Sequence, residues 1–128
     1  MIVAGIGCRS GAGRQAVLDA INAALKTYAV DPSGLDALAT SHRKASEPGI
    51  RQAATMLSLP LRALDDHALR SVQHLTLTHS SMSMAVTGVS SLSEAAALAA
   101  SGPGSWLLGP RIARNGVTCA LATDGVLS

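Results

Sequence analysis

The chain opens with an apolar run, Ile2 to Gly7, that passes through the turn Gly7-Cys-Arg-Ser-Gly-Ala-Gly13 into a helical pattern. This succession constrains the fold more than any other feature of the sequence. A buried strand feeding a helix through a tight glycine-rich turn begins a βαβ unit, and such units build parallel sheets covered by helices. In the stretch that follows, which runs to about Ala29, Val17, Ile21, Ala24, Leu25 and Tyr28 fall on one face. Arg14, Asp19, Asn22 and Lys26 fall mainly on the other, as a helical period requires.

The alternation continues along the chain. Asp31 to Gly34 is a loop, Leu35 to Thr40 a short apolar strand, and Ser41 to Ser46 a polar connection. Glu47 to Leu57 is amphipathic, with Ile50, Ala53, Ala54 and Leu57 inward, and Pro60 to Leu64 reads as a third strand. Asp65 caps a short helix reaching Val72. The segment Gln73 to Ser90, rich in Ser, Thr, His and Met, has no readable period and is expected to be mobile until a ligand orders it. Ser91-Leu-Ser-Glu94 has the form of a capping box, with Glu94 as its acid, and opens a helix that Gly102 and Pro103 stop. Two last strands, Ser105 to Ala113 and Val117 to Thr123, flank Asn115-Gly116, the signal of a type I′ hairpin turn. The expected fold is a single α/β domain over residues 1–128, a three-layer α/β/α sandwich with a mixed sheet.

Composition narrows the function. Hydrophobic residues make up 48% of the 128 residues, yet Tyr28 and Trp106 are the only aromatics. The core is therefore built from Ala, Leu, Val and Ile, and Ala-rich surfaces let elements approach closely. Few aromatics and ten scattered basic residues give neither a stacking platform nor a basic stripe for nucleic acid. A net charge of +2 suits a small anionic ligand. Cys8 and Cys119 form no C-x-x-C pair, and His42, His67, His74 and His79 fall in no metal-binding spacing. No disulfide scaffold, protein-bound metal or cofactor is expected. The apolar start lacks the features of a signal peptide, and no apolar run approaches the ~20 residues that span a bilayer, so a cytoplasmic protein without a membrane partner is expected.

The first strand-to-helix turn is the strongest local candidate for a site. Backbone N–H groups of Gly11 to Gly13 at a helix N-terminus, with Arg9 and Arg14 nearby, would attract an anion. Equally, the glycines serve a tight turn alone. The spacing G-x-G-x-x-x-G departs from the dinucleotide fingerprint, and no acidic residue ends a clear second strand about 20 positions on. Cys8-Arg-Ser-Gly11-Ala-Gly-Arg14 resembles the phosphate loop of cysteine-dependent phosphatases, in which a thiolate attacks phosphorus and the arginine grips the phosphate oxygens. That alternative lacks the usual His, where Gly7 stands, and the usual Ser or Thr, where Gln15 stands. Lys44 and Glu47 precede the second helix, beside the loops where α/β proteins bind ligands. Met82 and Met84 either meet a large flat ligand or pack their own loop.

Taken in order, several segments resemble a known family. They are Ile2-Val-Ala-Gly-Ile-Gly-Cys-Arg-Ser-Gly11, Leu38-Ala-Thr40 leading to Lys44-x-x-Glu47, Leu57-Ser-Leu-Pro60, Gly88-Val89 followed by Glu94-Ala-Ala-Ala-Leu98, and Val117-Thr118. The set is similar to the cobalamin (vitamin B12) biosynthesis protein CobE and to the C-terminal domain of CbiG, over nearly the whole chain. CbiG-like proteins open a lactone ring on a cobalt-containing precorrin, release a two-carbon fragment, and carry extra N-terminal domains. This chain starts at Met1 directly in the shared domain, which resembles the shorter CobE. The resemblance implies a corrin or precorrin intermediate as ligand, bound by a carrier or by an enzyme related to cobalt-precorrin-5A hydrolase, with other cobalamin-pathway enzymes as further partners. For such a polycarboxylate the candidate binding residues are Cys8, Arg9, Ser10, Gly11, Gly13, Arg14, Lys44, Glu47, Glu94 and Arg111. Arg111 stands where the family often has Lys, keeping the charge but not a lysine's chemistry.

Overall fold

Gly5 explains how the layers meet. It lies in the first strand, β1 (Ile2–Cys8), directly beneath the last helix, α5 (Leu92–Ser101). A Cβ on Gly5 would sit 1.9 Å from the Ser93 carbonyl oxygen and 2.7 Å from the Ala97 nitrogen. The glycine strand and the Ala-rich helix therefore pack backbone against backbone, and α5 is buried along almost its whole length.

The computed structural model describes residues 1–126. Between β1 and α5 come α1 (Arg14–Thr27), β2 (Ala37–Ser41), α2 (Pro48–Leu57), β3 (Leu61–Leu64), α3 (Asp66–Ser71) and α4 (Ser81–Thr87); β4 (Trp106–Leu107), β5 (Ile112–Arg114) and β6 (Val117–Thr123) follow α5. The sheet order is β3-β2-β1-β6-β4, with β5 also paired to β6. β1, β2 and β3 are parallel, whereas β6 runs antiparallel to β1 from Ile2 opposite Thr123 to Cys8 opposite Val117. The sheet is mixed, as the sequence predicts.

Alternation along the strands divides the core. Ala4, Ile6, Leu38, Cys119 and Leu121 face α1 and α2, which bring Val17, Ile21, Ile50 and Ala53. Val3, Ala37 and Ala39 face the other way, onto Leu69 of α3 and Leu92, Ala95 and Ala96 of α5. Helices thus cover both sheet faces, the arrangement that buried parallel strands require.

Two local expectations are corrected, and a stretch without a readable period gains structure. Ser105 to Ala113 does not form one strand. It breaks into β4 and β5 because Pro110 has no N–H to donate and the Arg111 N–H turns to the Glu94 carboxylate, 2.9 Å away, instead of the β6 ladder. The capping box at Ser91 and Glu94 is absent: Ser91 makes no side-chain cap, because Glu94 accepts hydrogen bonds from distant donors. Finally, part of Gln73 to Ser90 is helical. Ser80 caps α4 by accepting from the Ser83 N–H at 3.1 Å, and the Gln73 side chain accepts from the Ser90 N–H at 3.1 Å. Asp65 caps α3 as expected, accepting from the Ala68 N–H at 2.8 Å. Asn115 and Gly116, at φ 51° and 79°, have the two positive angles of a type I′ turn.

Candidate functional site

The carboxyl ends of β1 and β2 lie side by side because the two strands are parallel neighbours. The segments that follow them must therefore meet. The Lys44 ammonium donates to the Ser10 hydroxyl at 3.3 Å, and the Glu47 carboxylate accepts the Gly11 N–H at 3.1 Å. Across β1, the antiparallel β6 begins at Val117, so the Asn115-Gly116 turn reaches the same edge. The Arg9 side chain lies along that turn, its Cδ and Nε each 3.9 Å from where a Gly116 Cβ would be.

These segments form the floor of a cavity of about 650 Å³. Gly7, Cys8, Arg9 and Ser10 line one side, Lys44 another, and Arg111, Ala113 and Gly116 to Thr118 a third. The α4 helix closes over it with Met82, Ser83, Val86 and Thr87, and Leu92 fills the corner under α5. Met82 is 74% exposed and Val86 66% exposed, so α4 presents an apolar ledge at the cavity mouth. Three cationic side chains line the cavity, and no carboxylate or imidazole of the described residues does. Hydroxyls from Ser10, Ser80, Ser83, Thr87 and Thr118 complete the polar lining.

The ten sequence candidates divide. Cys8, Arg9, Ser10, Lys44 and Arg111 line the cavity together. Gly11, Gly13, Arg14, Glu47 and Glu94 are outside its lining. Arg14 is exposed in the first turn of α1. The Gly11 N–H is already held by Glu47, so the turn is not an open anion nest. Glu94 is fully buried, with both oxygens engaged: one accepts the Leu77 and Thr78 N–H groups at 2.8 and 2.9 Å, the other the Thr78 hydroxyl and the Arg111 N–H at 2.7 and 2.9 Å. Burial alone would raise its pKa, but these donors outweigh burial and hold it below the usual glutamate value.

The phosphatase alternative fails on the same geometry. Burial, the largest influence, raises the Cys8 thiol above its ordinary value; Lys44 lowers it and Glu47 raises it again. A phosphate-attacking thiolate needs a lowered pKa and free N–H groups around it. Here a carboxylate holds the Gly11 N–H, and Arg14 is outside the cavity lining. Among the described residues, no cluster of three or more His, Cys, Asp or Glu is arranged to hold a metal, and no helix is long and apolar enough to cross a membrane.

Residues the sequence did not single out complete the site: Ser83, Val86 and Thr87 of α4, Leu92 of α5, and the Gly116–Thr118 end of the hairpin. Of these, Gly116 carried a turn signal and Val117-Thr118 a place in the ordered motif set, but none was read as a site residue. Ser83, Val86 and Thr87 of α4 carried no signal, because a seven-residue helix has too few turns to establish a period.

Comparison with known proteins agrees with this architecture. The model of the family "Cobalamin synthesis G C-terminus" matches residues 2–122. The cobalt-precorrin-5A hydrolase of Salmonella typhimurium (strain LT2) is 30% identical over 126 residues; the match covers 94% of this chain but 33% of that protein, so the chain spans about a third of its length. Among solved structures, CobE, a protein from the cobalamin biosynthetic pathway, is similar with a TM-score of 0.90 at 36% identity, over 95% of this chain and 89% of that one. The cobalamin biosynthesis protein chiG from Agrobacterium tumefaciens str. C58 has a TM-score of 0.79 at 42% identity, over 98% of this chain and all of that one (100%). A cobalamin biosynthesis protein G homolog from Sulfolobus solfataricus, 23% identical with a TM-score of 0.73 over 95% of this chain and 36% of that one, shares the fold. With a mixed α/β sheet of this topology and a match over nearly its full length, the chain belongs to the cobalamin-biosynthesis family of CobE and the CbiG C-terminal domain.

Proposed function

We propose that the cavity binds a corrin or precorrin intermediate and that the chain holds or passes on this ligand. The observation that carries the reading is the lining itself: Arg9, Lys44 and Arg111 are distributed around about 650 Å³ of space beside the apolar ledge of Met82 and Val86. A flat macrocycle edged with carboxylates needs this combination, an apolar surface for its face and separated cations for its rim. Among the described residues the lining holds no carboxylate or imidazole, the commonest general acids and bases, which favours holding over hydrolysis. Solution in the cytoplasm and transfer to other enzymes of the pathway follow from the same reading.

A hydrolytic reading has one specific observation behind it. Ser10 and Lys44 are 3.3 Å apart at the cavity edge, where the lysine donates to the hydroxyl; once that lysine has lost its proton, the pair would be a hydroxyl nucleophile beside an amine base, and the hydrolase from Salmonella typhimurium is a relative. One experiment tests both readings: incubation with purified precorrin-type intermediates, followed by absorbance and product mass. A shifted spectrum with unchanged ligand mass supports the carrier. A new product that disappears with Ser10→Ala supports the hydrolase. No spectral change and no product overturns both.

A further inference from the structure

We propose that Glu94 is the positioning residue of the cavity, fixing the α4 wall and the Arg111 wall relative to each other without touching the ligand. The proposal rests on the reading of the cavity as the ligand site. Its basis is the set of partners around one carboxylate. Leu77 and Thr78 stand just before Ser80, where the α4 wall begins, and Arg111 is a cation of the opposite wall. All of them donate to Glu94, which lies in the first turn of α5, the helix whose backbone packs directly on Gly5.

The arrangement exceeds what the fold needs. A helix start requires only a cap, and Ser91 stands at that position without making a side-chain cap. Instead a fully buried carboxylate is kept charged by three backbone N–H groups and one hydroxyl, and no ion pair of the described residues includes it. Burying a charge this way is costly unless every lone pair is matched. The Arg111 end is held from the far side as well: the Tyr28 hydroxyl donates to the Pro110 carbonyl, and Gly109 lies against the Tyr28 ring. Arg111 is thus fixed between α1 and α5, and its backbone has little freedom to carry the guanidinium out of the cavity. Glu94 therefore acts on the ligand through Arg111 and α4.

The test uses Glu94→Gln in the full chain. The amide is isosteric, but its NH₂ must face at least one of the four donors, so one wall is released. The Leu77, Thr78 and Arg111 amides are expected to exchange at least tenfold faster, with β1 and β6 amides unchanged. Affinity for hydrogenobyrinic acid, followed by absorbance, is expected to fall about tenfold. A double-mutant cycle with Arg111→Ala supplies the readout a purely structural role would not move: the two losses should be strongly non-additive if Glu94 works through Arg111. Should Glu94→Gln fail to fold, Thr78→Val carries the test, because Thr78 does not line the cavity. It should weaken binding by a few-fold, and Thr78→Ser, which keeps the hydroxyl, should restore it. Faster exchange with unchanged affinity, or strictly additive losses, overturns the positioning role while leaving the cavity reading intact if Lys44→Ala still weakens binding. Absence of binding by the wild type overturns the cavity reading and this proposal with it.

Discussion

The Glu47 carboxylate accepts the Gly11 backbone N–H at 3.1 Å, across two loops that are far apart in sequence. This contact places a negative charge beside Cys8, opposing the Lys44 charge on the other side. Neutralising it by Glu47→Gln should lower the Cys8 thiol pKa, and Lys44→Ala should raise it. The check is the rate of alkylation by iodoacetamide as a function of pH. The midpoint should move to lower pH in the first variant and higher in the second, and equal midpoints in all three proteins would contradict the arrangement.

Ligand binding should follow the cavity lining rather than the N-terminal turn as a whole. Arg9→Ala, Lys44→Ala and Arg111→Ala should each weaken hydrogenobyrinic acid binding by on the order of 1–3 kcal/mol. Arg14→Ala and Lys26→Ala, outside the lining, should bind as the wild type does. Affinity should also fall between low and high salt, since exposed charge contacts are screened over about 10 Å at 0.1 M. Titration by absorbance decides the matter; a loss in Arg14→Ala equal to that in Lys44→Ala would put the anion back at the turn.

Close backbone packing makes Gly5 intolerant of any side chain. Gly5→Ala drives a methyl into the α5 backbone, which cannot rotate away as a side chain would, and should cost about 3 kcal/mol or more. Gly13→Ala meets no atom within 4 Å and should change stability by less than about 1 kcal/mol. Urea denaturation of both variants measures the contrast.

Glu94 also sets an acid limit on stability. Its pKa in the folded protein is below the ordinary glutamate value, so the unfolded chain takes up the proton first as pH falls. Its contribution is therefore complete above the ordinary glutamate range and is lost as pH drops through that range toward the lowered folded value. The nearby Tyr28 phenol, raised mainly by burial and secondarily by the Glu94 charge, stays neutral throughout this window. The Tm difference between wild type and Glu94→Gln should be largest near neutrality and shrink below pH ~4. A difference independent of pH would show that the carboxylate charge is not what holds the walls.

The α4 helix has no buried residue, and its large side chains, Met82, Met84 and Val86, are exposed. With so little to bury, its amides should exchange rapidly in the free protein and be protected when hydrogenobyrinic acid is bound. Hydrogen exchange with and without the ligand tests this, and high protection in both states would identify α4 as ordinary packed structure.

By itself the sequence determined the local elements and the family. Helical period placed α1 and α2, Asp65 and Asn115-Gly116 marked a cap and a turn, and the ordered motifs identified the relatives, because each of these signals is carried by residues near one another in the chain. Five of its ten site candidates line the cavity, and four of these, Cys8, Arg9, Ser10 and Lys44, lie at or just after the ends of β1 and β2, which parallel neighbours bring together. What only the tertiary structure decided was the partnership of groups distant in sequence. Glu94 looked like a local cap because Ser91 stands three residues before it. Its actual donors, Leu77, Thr78 and Arg111, come from two other segments and win because they satisfy both carboxylate oxygens in a buried place. The same holds for the break at Pro110, the occupied Gly11 N–H and the exclusion of Arg14. At Pro110 and Gly11 the competing hydrogen-bond partner is supplied by folding, and at Arg14 the position of the cavity itself is, and no periodicity or spacing along the chain encodes either.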